Sequence, residues 1–302
     1  MANARNVEEN LVFLKAVQYM EKTINTRMYL SFINETNLDF SSEIIQTHNE
    51  NRTSSLFIQP DGTVYKRYFV YNDITNKNID NLLKLSKNKR LQRIPEITMP
   101  TSIITTDGRV RGYFMPYHKG VSLNDVLFSD AYSDEFRLQI LIKLASVILR
   151  LPKDVFIGDL HGENVLVLPD GEIRLIDIDG FSTPECQISC PFFQEPVRTD
   201  LFSTKKYKHN DGSWRISKQT DILCFYAFVL SWIMGVTNAF VYTKQELFRY
   251  FDYLEKAGFD KTMLNLIIRI FTPRKNRIDI TALKRINLRQ LEMYQYSAFV
   301  QI

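Results

Sequence analysis

The sequence predicts an α+β protein whose strands gather in the first half and whose helices fill the second. Three observations carry that prediction. Two Pro-Asp-Gly turns, at Pro60–Gly62 and Pro169–Gly171, each separate short apolar stretches and read as β-hairpins. Thr101–Thr106 and Val110–Pro116 read as two further strands around Asp107-Gly108. Apolar stretches of helical length follow, at residues 133–151 and from Asp221 to Met234.

The composition bounds the function. A chain of 302 residues holds one large domain or two lobes that share a cleft. Hydrophobic residues at 45% and charged residues at 24% are those of a folded soluble protein. Lys and Arg total 38 against 34 for Asp and Glu, a net +4 too balanced for a dedicated nucleic-acid binder. Basic clusters at Lys84–Arg93, Lys205–Lys208 and Arg274–Arg277 read as solvated faces, with docking of an acidic partner as the alternative. Three cysteines, Cys186, Cys190 and Cys224, suit a reducing compartment, and Cys186-x-x-x-Cys190 lacks the second Cys or His pair that zinc needs. No apolar run has transmembrane length, and charges interrupt every apolar cluster near the start. The expectation is a soluble cytoplasmic protein, with delivery into another cell as an effector as the alternative, and with no membrane and no nucleic-acid partner.

In chain order, Leu11, Leu14, Val17, Met20 and Ile24 fall at helical spacing and predict an amphipathic helix over 7–27, with a short strand at Met28–Ile33. The first hairpin spans Ser55–Gln59 and Thr63–Tyr71, and residues 76–88 read as a helix on Leu82, Leu83 and Leu85. Ser122 with Asp125 three residues on predicts the capped start of a short helix to Phe128. The helix over 133–151 stops at Pro152. Residues 181–220 are long, irregular and polar, and Ser182, Thr183 and Ser189 in them are candidate phosphorylation sites. Helices over 243–257, 260–271 and 280–293 complete the chain.

The richest stretch is Phe156–Phe181, FIGDLHGENVLVLPDGEIRLIDIDGF. The second hairpin brings Asn164 at one end within reach of Asp177 at the other, and Asp159 stands on the loop before it. Two carboxylates and an amide at one point offer hard oxygen ligands for Mg²⁺ and one acceptor for a proton. An ordinary hairpin with acidic ends is the alternative.

At these residues the chain resembles the protein-kinase superfamily, whose catalytic loop H-R-D-x-x-x-x-N and following D-F-G are matched by Ile157-Gly158-Asp159, Asn164 and Asp177-Ile178-Asp179. The resemblance covers roughly Ser55 to Ile280 and implies a bilobal protein-kinase-like fold. That fold divides as an N-terminal helical extension over 1–28, a small β-rich N-lobe over 29–117 and a helical C-lobe over 118–302. It implies ATP and Mg²⁺ as cofactors, Asp159 as catalytic base, and Asn164 and Asp177 as metal ligands. Lys66, in Val64-Tyr65-Lys66, takes the place of the family's phosphate-pairing lysine; a solvent-facing strand lysine is the alternative. Tyr113–Gly120 resembles the hinge between lobes, with Met115 at the back of the nucleotide pocket and the Pro116 carbonyl and His118 N–H toward adenine. An edge strand ending in a turn is the alternative. His161 stands where Ser/Thr kinases carry a lysine near the γ-phosphate. Asp221 resembles the aspartate that braces the catalytic loop, and Glu195 the acid that would pair with Arg277.

The departures matter too. Gly62 is the first glycine, so no G-x-G-x-x-G precedes Lys66, and the helix glutamate's slot falls near Asn78 with only Asp80 close by. Ile157 and Gly158 replace His and Arg, and Asp179 fills the glycine slot. Gly158 and His161 pull toward small-molecule kinases of the aminoglycoside or choline type; the 181–220 segment and the Asp221 helix pull toward protein kinases. The expectation is a divergent Ser/Thr protein kinase with a protein substrate. A small-molecule hydroxyl acceptor is the first alternative and a pseudokinase scaffold the second.

Overall fold

The computed structural model describes residues 31–35, 38, 43–44, 54–69, 73–106, 109–187 and 205–301. The helix expected over 7–27 and residues Ser189, Glu195 and Pro196 lie outside the described residues. The protein is α+β, with strands early and helices late. Two compact units divide it: Met1–Ile79 with Met99–Tyr117, and Asp80–Thr98 with His118–Ile302.

The first unit is built on a six-stranded sheet ordered β1-β5-β6-β4-β3-β2. Its strands are β1 (Ser31–Asn34), β2 (Glu43–Ile44), β3 (Ser54–Ile58), β4 (Thr63–Tyr68), β5 (Ser102–Thr106) and β6 (Arg109–Pro116). All neighbours are antiparallel except β1 and β5. The β3–β4 turn closes as its sequence requires. Asp61 Oδ1 accepts from the Thr63 N–H at 2.9 Å, and Gly62 supplies the left-handed φ of 79° that a side chain would strain. Gly112 lets β6 approach β4, since a Cβ there would fall on the Lys66 carbonyl oxygen. One face of the sheet buries Phe57, Tyr65, Ile104 and Phe114 together, with Leu38 against them. Tyr65 also gives its hydroxyl to Glu35, at 2.8 Å.

Helix α1 (Asp73–Leu85) begins in the first unit and ends in the second. In the second unit a small sheet, β7 (Val121–Ser122), β8 (Val165–Val167) and β9 (Ile173–Leu175), stands among helices. Helix α2 (Leu123–Phe128) carries the expected box, with Ser122 Oγ accepting from the Asp125 N–H and Asp125 returning a carboxylate to Ser122. Helix α3 (Asp134–Arg150) buries one apolar side, including Leu141, Leu144 and Ile148, and helix α4 is Lys218–Met234. Every residue from Thr220 to Met234 is buried, so α4 is apolar all round and runs through the core. Gly235, at φ 66°, ends it.

Helices α5 (Lys244–Lys256), α6 (Lys261–Ile268), α7 (Ile280–Leu283), α8 (Leu291–Tyr294) and α9 (Tyr296–Val300) follow. The helix expected over 280–293 is therefore two short ones. Asn287 breaks it, because its side chain accepts from the Arg289 N–H at 3.2 Å and starts a separate turn. Among the described residues no helix is long and apolar enough to cross a membrane.

Candidate functional site

In the second unit, the residues singled out in Phe156–Phe181 meet at the open end of the β8–β9 hairpin. Val165 pairs with Leu175, and the Ile176 N–H donates to the Asn164 carbonyl at 3.0 Å, so Asn164 and Asp177 leave the same end. Asn164 Nδ2 donates to the Asp159 carbonyl at 3.1 Å. That bond ties the loop to the hairpin and engages the amide nitrogen, so a cation would meet the amide oxygen. Asp177 adopts φ 65°, ψ 42°, the one described non-glycine residue with positive φ. Such a conformation costs about 1 kcal/mol for a residue with a Cβ, and it turns the chain into the 3₁₀ turn Ile178–Gly180. Asp159 Cβ and Asp177 Oδ2 each lie 3.9 Å from where a Gly180 Cβ would stand, so both residues border Gly180. His161 Nε2 lies 3.8 Å from Asp159 Oδ2, an ion pair only when the imidazole is protonated.

The loop that carries Asp159 is braced from below. Asp221 is fully buried on α4, and its two oxygens accept the N–H groups of Ile157 and Gly158 at 3.1 and 3.0 Å. Burial pushes its carboxyl up to about 6, against the pull of those two N–H groups and of Lys218. Gly158 has φ 72°, and a Cβ there would stand 2.9 Å from Ser182 Oγ and 3.1 Å from Ile216 Cγ2. Backbone geometry, then, explains why no larger residue precedes Asp159. Phe156 and Ser182 exchange two backbone hydrogen bonds, of 2.9 and 2.7 Å. Ser182 is buried in that pairing and so is not a surface hydroxyl. Thr183 Oγ1 accepts from the Cys186 N–H at 3.2 Å. Arg277, expected opposite Glu195, meets Asp279 at 3.2 Å.

The remaining predicted residues belong largely to the first unit. Lys66 is only 7% exposed, which overturns the solvent-facing alternative. Its ammonium lies 5.9 Å from the Tyr68 ring centre and 5.8 Å from that of Tyr113, a cation–π setting. Lys66 pairs with Tyr113 and Val64 with Met115, so Lys66 and Met115 share one face of the sheet; Pro116 pairs with Thr63. Because β6 lies between β5 and β4, it is not an edge strand, and Pro116 is accommodated as its last residue. His118, in the second unit, is half-buried. Burial, and then the charge of Arg174, holds its imidazole below the usual value.

Sequence reasoning missed two buried polar residues. Asn81 is completely buried on α1, and its Nδ2 donates to the Phe181 carbonyl, just beyond the Asp177 turn. Its position two residues after Ile79 and directly before Leu82-Leu83 was the available signal. Asn78 presents an Oδ1 that is buried with no hydrogen-bond partner among the described residues, while Asp80 is exposed. The second is Glu35, which accepts from Tyr65, from Arg67 Nε at 2.6 Å and from Thr106 Oγ1 at 3.0 Å. Those partners are far off in sequence, and no local pattern announces them.

Among the described residues no group of three or more His, Cys, Asp or Glu side chains could hold a metal ion. Asp159, Asp177 and the Asn164 amide offer only two carboxylates. That poor set suits Mg²⁺, which keeps waters and takes one or two carboxylates together with a substrate's phosphates. No protein-family model matches the chain, and no curated protein matches it.

Proposed function

We propose that the protein is a phosphotransferase that moves the γ-phosphoryl group of ATP to a hydroxyl, with a Ser or Thr side chain of a protein as acceptor. The observation that carries this reading is the bond from Asn164 to the Asp159 carbonyl at the hairpin end from which Asp177 departs. It gathers the residues of the kinase resemblance on a loop that Asp221 holds from the core.

Asp159 accepts the proton of the attacking hydroxyl as its oxygen bonds to the γ-phosphorus and the bond to the β–γ bridging oxygen breaks, releasing ADP. Asp177 and the Asn164 oxygen would hold Mg²⁺, which when bound offsets negative charge on the phosphates. Asn164 positions Asp159 through its backbone. His161 lies beside the Asp159 carboxylate, where it can donate to an anionic group. Lys66 is assigned to the phosphates, and Met115, Pro116 and His118 to the nucleotide base, by resemblance alone. The location in this reading is the cytoplasm.

A second reading, a scaffold with the same fold and no transfer activity, draws on Asn78, a neutral amide in the slot of the family's helix glutamate. Incubation with γ-labelled ATP and Mg²⁺, with and without a generic protein acceptor, separates the readings. Label on protein that disappears in Asp159→Ala is the expected result. Nucleotide binding without labelled protein redirects the search to small-molecule acceptors. Neither label nor binding leaves the scaffold.

A further inference from the structure

Two basic clusters that are remote in sequence, Lys205–Lys208 and Arg274–Arg277, are linked in the second unit through the Arg269 carbonyl. Lys206 Nζ donates to the Arg269 carbonyl at 2.9 Å, just past the end of α6. The Thr272 N–H donates to the same carbonyl, so the turn that presents Arg274 and Lys275 begins where Lys206 ends. From the other side Gln219, on α4, grips the Asn276 peptide, with Nε2 on its carbonyl at 2.9 Å and Oε1 taking its N–H at 2.7 Å. The Arg215 N–H donates to the Tyr207 carbonyl at 2.7 Å, which holds the first cluster against the approach to α4.

Two of the lysines, Lys206 and Lys208, are held by contacts of their own. Lys208 lies over the Trp214 ring at 5.0 Å. Lys206 is half-buried, and burial pulls its ammonium down to about 8, a penalty that an arriving anion relieves. Lys205, Arg274, Lys275 and Arg277 are exposed. Among the described residues, two carboxylates lie within three positions of the clusters. Asp279 takes Arg277, and Asp211 is occupied by the Ser213 N–H and hydroxyl at 2.9 and 2.6 Å. Neither of these carboxylates is engaged by Lys205, Arg274 or Lys275. Binding of single-stranded nucleic acid relies on open aromatic faces for stacking. Here Tyr207 is fully buried and Trp214 already has Lys208 over its ring, which favours a protein ligand.

We infer that this surface docks an acidic segment of a partner protein, with Arg274 and Lys275 as its exposed contacts and Lys205 and Lys206 beside them. The docking is separate from the transfer reaction and does not depend on it. A fluorescein-labelled oligoglutamate peptide, titrated with the full chain and followed by anisotropy, tests it. Saturable binding is expected that weakens with added salt and falls roughly tenfold in Arg274→Glu/Lys275→Glu. Lys256→Glu, on α5, should leave it unchanged, and circular dichroism should show all three proteins folded. Absence of binding, equal loss in Lys256→Glu, or tighter binding of a single-stranded oligonucleotide than of the peptide would overturn the inference.

Discussion

The two Pro-Asp-Gly hairpins use the same turn chemistry for different ends. In each, the aspartate side chain accepts the N–H two residues on, at 2.9 Å, and the glycine sits at positive φ, 79° in one and 76° in the other. The first then runs on as β3 and β4, strands of five and six residues inside a six-stranded sheet, and carries Lys66 in mid-strand. The second stops after three residues on each side, and Asn164 and Asp177 lie just beyond its open end. A turn sequence thus encodes that a hairpin forms, while strand length decides whether the candidate residue is buried in the sheet or released at its end.

Substitutions can break or sharpen this contrast. The largest effect is expected at the open end of the second hairpin. Asp159→Asn should lower kcat for phosphoryl transfer by roughly 10²–10⁴-fold with unchanged circular dichroism, and Asp177→Ala should abolish Mg²⁺-dependent turnover. Unchanged turnover in either variant would sink the transfer reading. In the first hairpin, Lys66→Ala should reduce kcat/KM for ATP by roughly 10²-fold, read from initial rates across nucleotide concentrations.

The brace beneath the second hairpin's loop should show in a pH profile. Burial raises the Asp221 carboxyl from 3.8 to about 6, so the folded chain holds that proton more tightly than the unfolded one. This group's contribution to stability is then largest below about pH 4 and falls as pH rises toward 6, by about 3 kcal/mol in all. In Asp221→Asn that component should vanish, so the difference in Tm between wild type and variant should change between pH 4 and 6. A constant difference would mean that Asp221 titrates normally.

The smallest effects belong to the turns themselves. Gly62→Ala meets no atom within 4 Å and should cost about 1 kcal/mol of backbone strain. Gly171→Ala brings its Cβ to 3.3 Å from Phe136 Cε2, so its loss should be larger in denaturant melts. Equal losses would show that Phe136 moves aside freely.

What could be read in the sequence follows from the range of each interaction. Asp-Gly turns, the Ser122–Asp125 box and the apolar stretch after Asp221 are local, and all reappear in the fold. The burial of Lys66 needed the pairing of β4 with β6, and the bracing of Gly158 needed a residue 63 positions away. Asn81 was hidden because an asparagine in a polar helix looks like surface until its partner, 100 positions on, is known. The helix over 280–293 failed for a local reason. Apolar spacing persisted across Asn287, whose side chain prefers to begin a turn.

The parallel pairing of β1 with β5 carries a consequence for how the chain is made. Ser31 lies opposite Ser102 and Asn34 opposite Thr105, while the strands β2, β3, β4 and β6 find antiparallel neighbours. As the chain emerges during synthesis, β1 appears early and has no partner until β5 follows about 70 residues later, a span whose closure entropy must be met before the pair forms. The β3–β4 hairpin, with nearby ends, can assemble in the meantime. High contact order at β1 should therefore make its docking the late, slow event in maturation of this sheet.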